Sequence, residues 1–300
     1  MSTTAAAGGY TIPPGFVAEI LYRAAFYSPI FSIVGRLPMS SSKLQMPVGT
    51  SAFTAYWPGE GTAITESSAT FDQFTLSTNP QGLLARFNRL LIEGSGVDIL
   101  GWVRERLAEK IATDSENKIV NGNGSSCPTG FADSSYSSIA SVSMASSALA
   151  YGDLVSLYYA LDPKYWSDAC FLLNSTGAKL IDALTTTAGA PVMSKLGGGA
   201  PAYGDKPFGQ PQGTMLGKPY YIVPSISATY GSSSAYTTRI YFGAFRHCYQ
   251  VGELNSMRVE TSTEAGTDTF AADQMLLKVI RYWDGKVADQ TGIKYLTGVI

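Results

Sequence analysis

Residues 95–124 read SGVDILGWVRERLAEKIATDSENKIVNGNG and contain the strongest helical pattern of the chain. Ser95 can cap a helix and Asp98 follows three residues later, which is typical of a helix start, while Asn121-Gly122 is a stop signal. The apolar residues recur at helical spacing, namely Val97, Leu100, Val103, Leu107 and Ile111. The pattern predicts a helix of about 25 residues, about 40 Å long at 1.5 Å per residue, long enough to be the spine of a subunit.

The segment before this helix, residues 46–93, has strand character. Phe71–Leu76 and Leu84–Leu90 alternate around Asn79-Pro80-Gln81-Gly82, which predicts a long β-hairpin. An isolated two-stranded hairpin is only marginally stable in water. This one carries three aromatic side chains, namely Trp57, Phe71 and Phe74. We therefore expect a neighbouring subunit to support it.

The first 45 residues combine proline-rich and glycine-rich turns with apolar side chains such as Phe16, Ile20 and Phe26. Because prolines interrupt helices and strands, this part of the sequence predicts an extended arm with one short helix. A free arm cannot cover its own apolar residues. The arm is expected to lie across another surface.

Beyond the long helix, residues 121–130 form a turn region rich in glycine and asparagine, and a serine-rich stretch follows up to Ser147. Helix and strand then alternate, with a helix at 153–161, a strand at 169–173 and a helix at 175–184. Residues 185–214 are rich in glycine and proline. The closing strands are expected at 220–223, 239–245, 249–251, 258–261 and 275–283, which completes an α+β fold.

Composition narrows the classes of function. Charged residues make up 15% of the 300 residues and the net charge is −2, so the chain lacks the basic surface of a dedicated nucleic-acid reader. Few charges favour a surface that neighbours cover, although a neutral surface rich in Ser, Thr and Gly is the alternative. No window has the 18 or so apolar residues of a membrane span, and the first ten residues lack a secretory signal. Cys127, Cys170 and Cys248 are too far apart in sequence for a CxxC cluster, which favours reduced, structural thiols.

Candidate catalytic groups are few. His247 precedes Cys248 in a predicted strand, where adjacent side chains face opposite ways and cannot act as base and nucleophile. Pro219 follows Gly217-Lys218, where a phosphate loop needs Ser or Thr. Glu60 and Glu66 could form a carboxylate pair, but solvated charges or partners for arginine across an interface explain them better. The sequence predicts no cofactor, no metal site and no enzyme.

Several motifs together resemble one family. They are Leu83–Leu91, the capped helix, Glu116–Gly124, Pro128-Thr129-Gly130, Phe171–Asn174, Leu216–Tyr220, Val223-Pro224 and Phe242–Phe245, and they occur in the same order along nearly the whole chain. The chain is thereby similar to the major capsid proteins of tailed bacteriophages, which have the Hong Kong 97 type fold. Each motif alone is weak, and the ordered set is what makes the resemblance specific.

The resemblance implies an N-terminal arm over 1–45, an extended hairpin loop over 46–93, a peripheral domain with the spine helix over 94–135, a mixed α/β axial domain over 136–245 and closing peripheral strands over 246–300. It further implies self-assembly into pentamers and hexamers of an icosahedral head, built in the host cytoplasm and enclosing double-stranded DNA that the inner face contacts without sequence preference. Portal, scaffolding and decoration proteins are the other expected partners. Candidate contacts between subunits are Phe16, Ile20, Phe26, Trp57, Phe71, Phe74, Arg86 and Arg89.

One branch of this family joins its subunits by isopeptide bonds between a hairpin lysine and an asparagine, aided by a glutamate. This sequence departs from that pattern, because residues 46–93 contain no lysine. Gln274 stands at the asparagine position and Arg281 at the glutamate position. We expect no cross-links. Met1 lies almost directly before the arm, which fits either a chain without a scaffolding leader or one numbered after its removal.

Four alternatives remain. An encapsulin-type compartment shares the fold and encloses cargo enzymes, and a neighbouring portal and packaging ATPase would distinguish a phage from it. A hydrolase would need a nucleophile and base that the sequence does not visibly supply. A surface binding module would need a signal peptide, and the long helix argues against a tail or decoration protein.

Overall fold

A computed structural model of the chain describes residues 28–49, 53–63, 66–68, 70–88, 90, 99–144, 149–185, 189, 191–195, 211–227, 238–262 and 273–299. Its helices are α1 (Ile30–Ile33), α2 (Ile99–Asn121), α3 (Tyr151–Ala160), α4 (Ser175–Asp182) and α5 (Phe245–Cys248). Its strands are β1 (Gly35–Met39), β2 (Lys43–Gly49), β3 (Phe71–Ser77), β4 (Asn79–Asn88), β5 (Ala140–Ser143), β6 (Cys170–Leu173), β7 (Met193–Lys195), β8 (Gly213–Met215), β9 (Lys218–Ile222), β10 (Thr238–Gly243), β11 (Tyr249–Ser262), β12 (Gln274–Val287) and β13 (Ile293–Val299).

The strands of the described residues form three sheets. A four-stranded sheet has the order β1-β11-β12-β4, a seven-stranded sheet has the order β5-β13-β10-β6-β9-β8-β7, and β2 pairs with β3 alone. Helix α2 covers one face of the four-stranded sheet, where Leu107 and Ile111 pack against Leu277 and Val279. This fold combines helices with largely antiparallel sheets, as expected for the α+β class.

The predicted long helix is present as α2, with 23 residues. Its apolar stripe is buried at Val103, Leu107 and Ile111, in agreement with the spacing. The predicted cap at Ser95 lies outside the described residues.

The asparagine-glycine motif after α2 folds the chain back onto the end of the helix. Phe131 and Ala132 donate their backbone N–H groups to the carbonyls of Ile119 and Val120, at 3.1 and 2.9 Å. These contacts satisfy carbonyls that the helix end would otherwise leave without partners. Gly130 is required here, since a Cβ atom at this position would lie 2.3 Å from the Val120 carbonyl oxygen.

The predicted pairing of the hairpin is wrong. β3 pairs with β2 in antiparallel register, so that Gly49 lies opposite Phe71, whereas β4 pairs with β12. The sequence of Asn79–Gly82 predicts a turn, but these residues begin β4, and only Thr78 lies between β3 and β4. Pro80 is compatible with a strand because β4 lies at the sheet edge, where a missing N–H donor costs no ladder hydrogen bond.

Two further differences concern the end of the chain. Residues 249–251 and 258–261 belong to one strand, β11, with an irregularity in register between Leu254 and Arg258. β13 lies in the seven-stranded sheet between β5 and β10, and therefore does not share a sheet with β11 and β12. The domain bounds given above stay a prediction.

Phe131 marks the place where the two large sheets meet α2. Its ring is buried and contacts Tyr241 of β10, Phe245 of α5 and Tyr249 of β11, with ring centroids at 4.9, 5.3 and 6.2 Å. The surrounding core cluster contains residues from both sheets and from α1 and α2. This cluster therefore joins the two large sheets to α1 and to the C-terminal end of α2.

Candidate functional site

The β2-β3 hairpin and the segment between its strands expose large apolar side chains. Trp57 is 97% exposed, and Phe53 and Phe71 are each 73% exposed. Aromatic side chains are enriched where proteins contact one another, because they bury a large area at low cost in side-chain entropy. Three such exposed side chains on one hairpin and its connecting segment indicate a contact surface and not a folding core.

The base of the hairpin is firmly attached to the four-stranded sheet. Leu76 is fully buried against Met39 and the backbone of Gly252, where a Cβ atom would come within 3.0 Å of the Leu76 side chain. The Ser77 N–H donates to Oδ2 of Asp284 at 2.9 Å, and Lys286 donates to the Thr75 carbonyl at 3.1 Å. The hairpin is therefore held at one end while its other end remains exposed.

The predicted contact residues are distributed as follows. Trp57, Phe71 and Arg86 are exposed, and Phe74 is half-buried. Trp57 and Phe71 belong to the hairpin and the segment that joins its strands, whereas Arg86 lies on β4 of the four-stranded sheet. Phe16, Ile20, Phe26 and Arg89 lie outside the described residues.

A polar network that the sequence analysis did not find joins β4, α2 and β12. Gln81 accepts hydrogen bonds at Oε1 from Trp283 Nε1 at 2.9 Å and from Ser115 Oγ at 3.2 Å. Its amide donates to Asp114 Oδ2 at 2.8 Å. No local sequence signal links these residues, because up to 202 positions separate them. The network fixes where the edge strand sits against the long helix.

A second hub is the buried carboxyl of Glu116. Ser28 donates to its Oε2 at 2.8 Å, and Ser225 donates to its Oε1 at 2.9 Å through the hydroxyl. Burial raises the pKa of the Glu116 carboxyl above its ordinary value of 4.5, although the hydrogen bonds from Ser28 and Ser225 oppose this shift. The hub connects the residues before α1, the long helix and the loop after β9.

Replacing Glu116 by Gln should change how stability depends on pH. A carboxyl with a raised pKa binds its proton more tightly in the folded state, so it adds stability as the pH falls through the folded pKa towards 4.5. The free energy of unfolding of the wild type should therefore rise relative to that of Glu116→Gln as the pH is lowered from about 7 to about 4.5. Urea unfolding at several pH values measures this. Glu109→Gln, on the exposed side of the same helix, is the control, and an equal pH dependence in both variants would contradict the assignment.

The predicted strand at His247 is wrong, since His247 and Cys248 lie in the short helix α5. His247 faces solvent and its Nε2 is 2.9 Å from Asp168 Oδ2. Cys248 is buried, and burial raises the pKa of its thiol to about 12. A protonated, buried thiol is a poor nucleophile, so the two residues have structural roles.

Arg281 occupies a buried position between aromatic rings. Its guanidinium carbon lies 4.8 Å from the Trp283 ring centroid and 5.6 Å from that of Phe31, and Nη2 is 3.6 Å from a Glu253 carboxylate oxygen. Burial is the main cause that lowers the pKa of this guanidinium. Arg281 is therefore held by two ring contacts and one ion pair.

Among the described residues, no helix is long and apolar enough to cross a membrane, and no group of three or more metal-ligating side chains is found. The family model of the phage capsid family matches residues 8–298, which is nearly the whole chain. The chain belongs to the phage capsid family.

Solved structures of similar fold agree with this membership. The capsid of an empty GTA particle matches this capsid protein with a TM-score of 0.73 and 21% identity, covering 91% of this chain and 90% of the other. A structure from Mycobacterium phage Adephagia matches with a TM-score of 0.64 and 14% identity, covering 90% of this chain and 89% of the other. A structure from Microbacterium phage Oxtober96 matches with a TM-score of 0.65 and 13% identity, covering 90% of each chain. At these identities the likeness shows the fold, which is of the Hong Kong 97 type. No curated protein matches this capsid protein in a sequence comparison.

The family assignment gives this capsid protein a structural role in the virion, where copies of the chain assemble into a shell. It is not an enzyme, and its functional surface is accordingly a set of contacts between copies. The hairpin with its exposed aromatic side chains is the candidate for that surface.

Proposed function

We propose that this chain is the major capsid subunit of an icosahedral phage head, in which its pentamers and hexamers enclose double-stranded DNA without isopeptide bonds between subunits. The observation that carries the proposal is the exposure of aromatic side chains on the hairpin. Trp57, Phe53 and Phe71 are exposed on it, and a neighbouring subunit can cover them. Because one copy presents the hairpin and another receives it, the contact is head-to-tail and can close into rings.

The other expected partners follow from this role. Portal, scaffolding and decoration proteins would act on the assembling shell in the host cytoplasm. DNA would be contacted without sequence preference, which agrees with a net charge of −2 and the lack of a strongly basic composition. These partners are expectations from the family to which the chain belongs.

Assembly of the purified chain tests the proposal. Sedimentation velocity should show a concentration-dependent conversion of free subunits into large particles, because each subunit makes several weak contacts at once. Negative-stain electron microscopy should show closed icosahedral shells. A chain that sediments as a monomer at high concentration, with and without co-expressed scaffolding protein, would contradict the proposal. Nuclease-resistant double-stranded DNA in particles from infected cells would distinguish a phage head from a cargo compartment.

Boiled particles should run as a single band of subunit size on denaturing electrophoresis. The hairpin residues between Lys43 and Arg86 include no lysine. The resemblance to the cross-linking branch places Arg281 where that branch has its assisting glutamate. A ladder of covalent multiples would contradict this prediction while leaving the role in the shell intact.

A further inference from the structure

The end of α2 and the turn after it contain two Asn-Gly dipeptides in direct succession, Asn121-Gly122 and Asn123-Gly124. In such a dipeptide the backbone nitrogen of the glycine can attack the side-chain carbonyl carbon of the asparagine, because glycine has no Cβ atom that hinders the approach. The reaction is intramolecular, so its rate depends on how the backbone holds the two groups. The structure places the two dipeptides in different surroundings, and they therefore form a matched pair within one chain.

The side-chain oxygen of Asn123 accepts two hydrogen bonds. The backbone N–H of Ser125 donates to Oδ1 at 3.1 Å, and the thiol of Cys127 donates to the same atom, also at 3.1 Å. Both donors polarise the amide carbonyl. When a nucleophile adds to Cγ, negative charge develops on Oδ1, and donors fixed at that atom stabilise it. The turn thus supplies the Asn123 amide with the equivalent of an oxyanion hole.

The attacking atom in this dipeptide is the backbone nitrogen of Gly124. Its N–H donates to the Pro128 carbonyl at 3.3 Å, which is longer than the roughly 2.7–3.2 Å usual for such bonds. Gly124 and Asn123 are both exposed, so water reaches the N–H group and the amide. Gly124 has a φ of +74°, and a Cβ atom there would lie 2.7 Å from Thr129 Oγ1. The turn therefore requires glycine, and this requirement keeps an unhindered nitrogen beside the polarised amide.

Asn121 lies in contrasting surroundings, as the last residue of α2. Its Nδ2 donates to Asn117 Oδ1 at 2.9 Å and to the Ser225 carbonyl at 2.8 Å, which holds the amide away from its own backbone. Gly122 is buried, and its N–H donates to the Lys118 carbonyl at 3.0 Å. A buried N–H in a helical hydrogen bond is poorly placed to lose its proton to water. The structure therefore protects one dipeptide and activates the other.

We propose that Asn123 is a self-modification site, at which the chain converts its own side-chain amide to a carboxylate. The Gly124 nitrogen attacks Cγ of Asn123 and forms the N–Cγ bond of a cyclic imide. The Cγ–Nδ2 bond breaks, and Nδ2 leaves as ammonia with the proton that Gly124 gives up to water. A water molecule then opens the imide. Cleavage of the new N–Cγ bond yields aspartate, and cleavage of the original peptide bond yields isoaspartate, so that the net reaction consumes one water and releases one ammonia.

The product alters the end of the long helix. A carboxylate at position 123 adds negative charge just beyond the last residue of α2, where the helix dipole already places partial negative charge. Isoaspartate also lengthens the backbone by one methylene carbon at the bridge between Asn123 and Thr129. Both changes act on the turn through which Gly130 and Phe131 bind the carbonyls at the helix end. The proposal goes beyond the role in the shell and does not depend on it.

Peptide mapping of the freshly purified full-length chain, before and after incubation at physiological pH and temperature, tests the proposal. Mass spectrometry with electron-transfer fragmentation should find aspartate and isoaspartate accumulating about tenfold faster at Asn123 than at Asn121, the ratio expected from two additional donors to Oδ1. In the chain unfolded in urea the two asparagines should react at similar rates, because both then differ only in sequence context. Asn123→Gln should stop the reaction at this position, since a glutamine amide has to close a larger ring.

Two substitutions at Cys127 test the second donor, which acts as a positioning residue. Cys127→Ala removes the thiol and should slow the reaction at Asn123 by about fivefold. Cys127→Ser retains a donor and should react within about twofold of the wild type. The difference should vanish in urea, where the turn is absent. Urea unfolding curves verify that both variants are folded before incubation.

Several results would overturn the proposal. Equal rates at Asn121 and Asn123 in the folded chain would show that the turn does not activate its dipeptide, and so would the absence of modification at both. A Cys127→Ala chain that reacts as fast as the wild type would remove the thiol from the oxyanion hole. These rates are measured on the chain whether or not it assembles, so failure here is distinguishable from failure of the proposed function.

Discussion

Replacing residues 50–70 by an Asn-Gly turn should abolish shell formation while leaving the subunit folded. Gly49 and Phe71 lie directly opposite each other in the β2-β3 register, so two residues can close the shortened hairpin. The removed segment contains Phe53 and Trp57, which are exposed and contribute little to the core. We expect the free energy of unfolding to change by less than about 1 kcal/mol. The assembled fraction should fall by about 100-fold or more, because the contact is lost at every subunit of the shell.

Sedimentation velocity of the shortened chain beside the wild type measures this effect. Tyr159→Ala is the control, because it removes an aromatic side chain that is 69% exposed but lies on α3, away from the hairpin. Normal shells from the shortened chain would show that the hairpin segment is dispensable. A shortened chain that fails to unfold cooperatively would show that the segment belongs to the fold.

Phe131→Ala should destabilise the subunit by about 3–5 kcal/mol, the range for removing a buried phenylalanine ring. Phe131 is 2% exposed and contacts three other aromatic rings at the junction of both large sheets and α2. The surrounding strands and the helix end fix the shape of the cavity, so collapse around it is limited. Urea unfolding monitored by circular dichroism gives the free energy directly.

Phe71→Ala is the matched control for this substitution. It removes the same ring from a position that is 73% exposed, and we expect a change in the free energy of unfolding of less than about 1 kcal/mol. Relative to the stability that each variant loses, Phe71→Ala should lower the assembled fraction more than Phe131→Ala does, since Phe71 lies on the hairpin. Equal destabilisation by the two substitutions would contradict the position of Phe131 at the centre of the core.

The parts of the fold that local sequence determines were predictable. The helical spacing of Val103, Leu107 and Ile111 gave the position and the buried face of α2. The spacing of apolar residues also predicted several shorter elements, namely the strands near 170–173 and 220–223 and the helices near 153–161 and 175–184. Two of the three aromatic side chains named for the predicted hairpin, Trp57 and Phe71, are exposed, although its strands pair differently from the prediction.

Strand partners could not be predicted in this way, because pairing is a long-range property. β3 and β4 are adjacent in sequence and both alternate, yet β4 pairs with β12 about 200 positions later. Periodicity does not specify which strand lies beside which, and Asn79–Gly82 resembles a turn although it begins an edge strand. The strand predicted at His247 failed for a related reason, since four residues of helix carry too little periodicity to recognise.

The surroundings of the candidate contact residues depend on the same long-range information. The sequence predicts Arg86 as a contact residue, but Leu276 becomes its neighbour only once β4 and β12 are paired. Glu116 likewise acquires its role through Ser28 and Ser225, which are 88 and 109 positions away. Nothing local distinguishes a buried carboxyl on a helix from a solvated one.

A cryo-electron microscopy reconstruction of the assembled particle tests the central claim most directly, namely that each copy supplies the cover that its neighbour's hairpin lacks. We expect a closed shell in which Trp57 of each copy, exposed in the single chain, is buried against an adjacent copy. A well-resolved shell in which Trp57 remains in solvent and the hairpins touch no neighbouring subunit would contradict it.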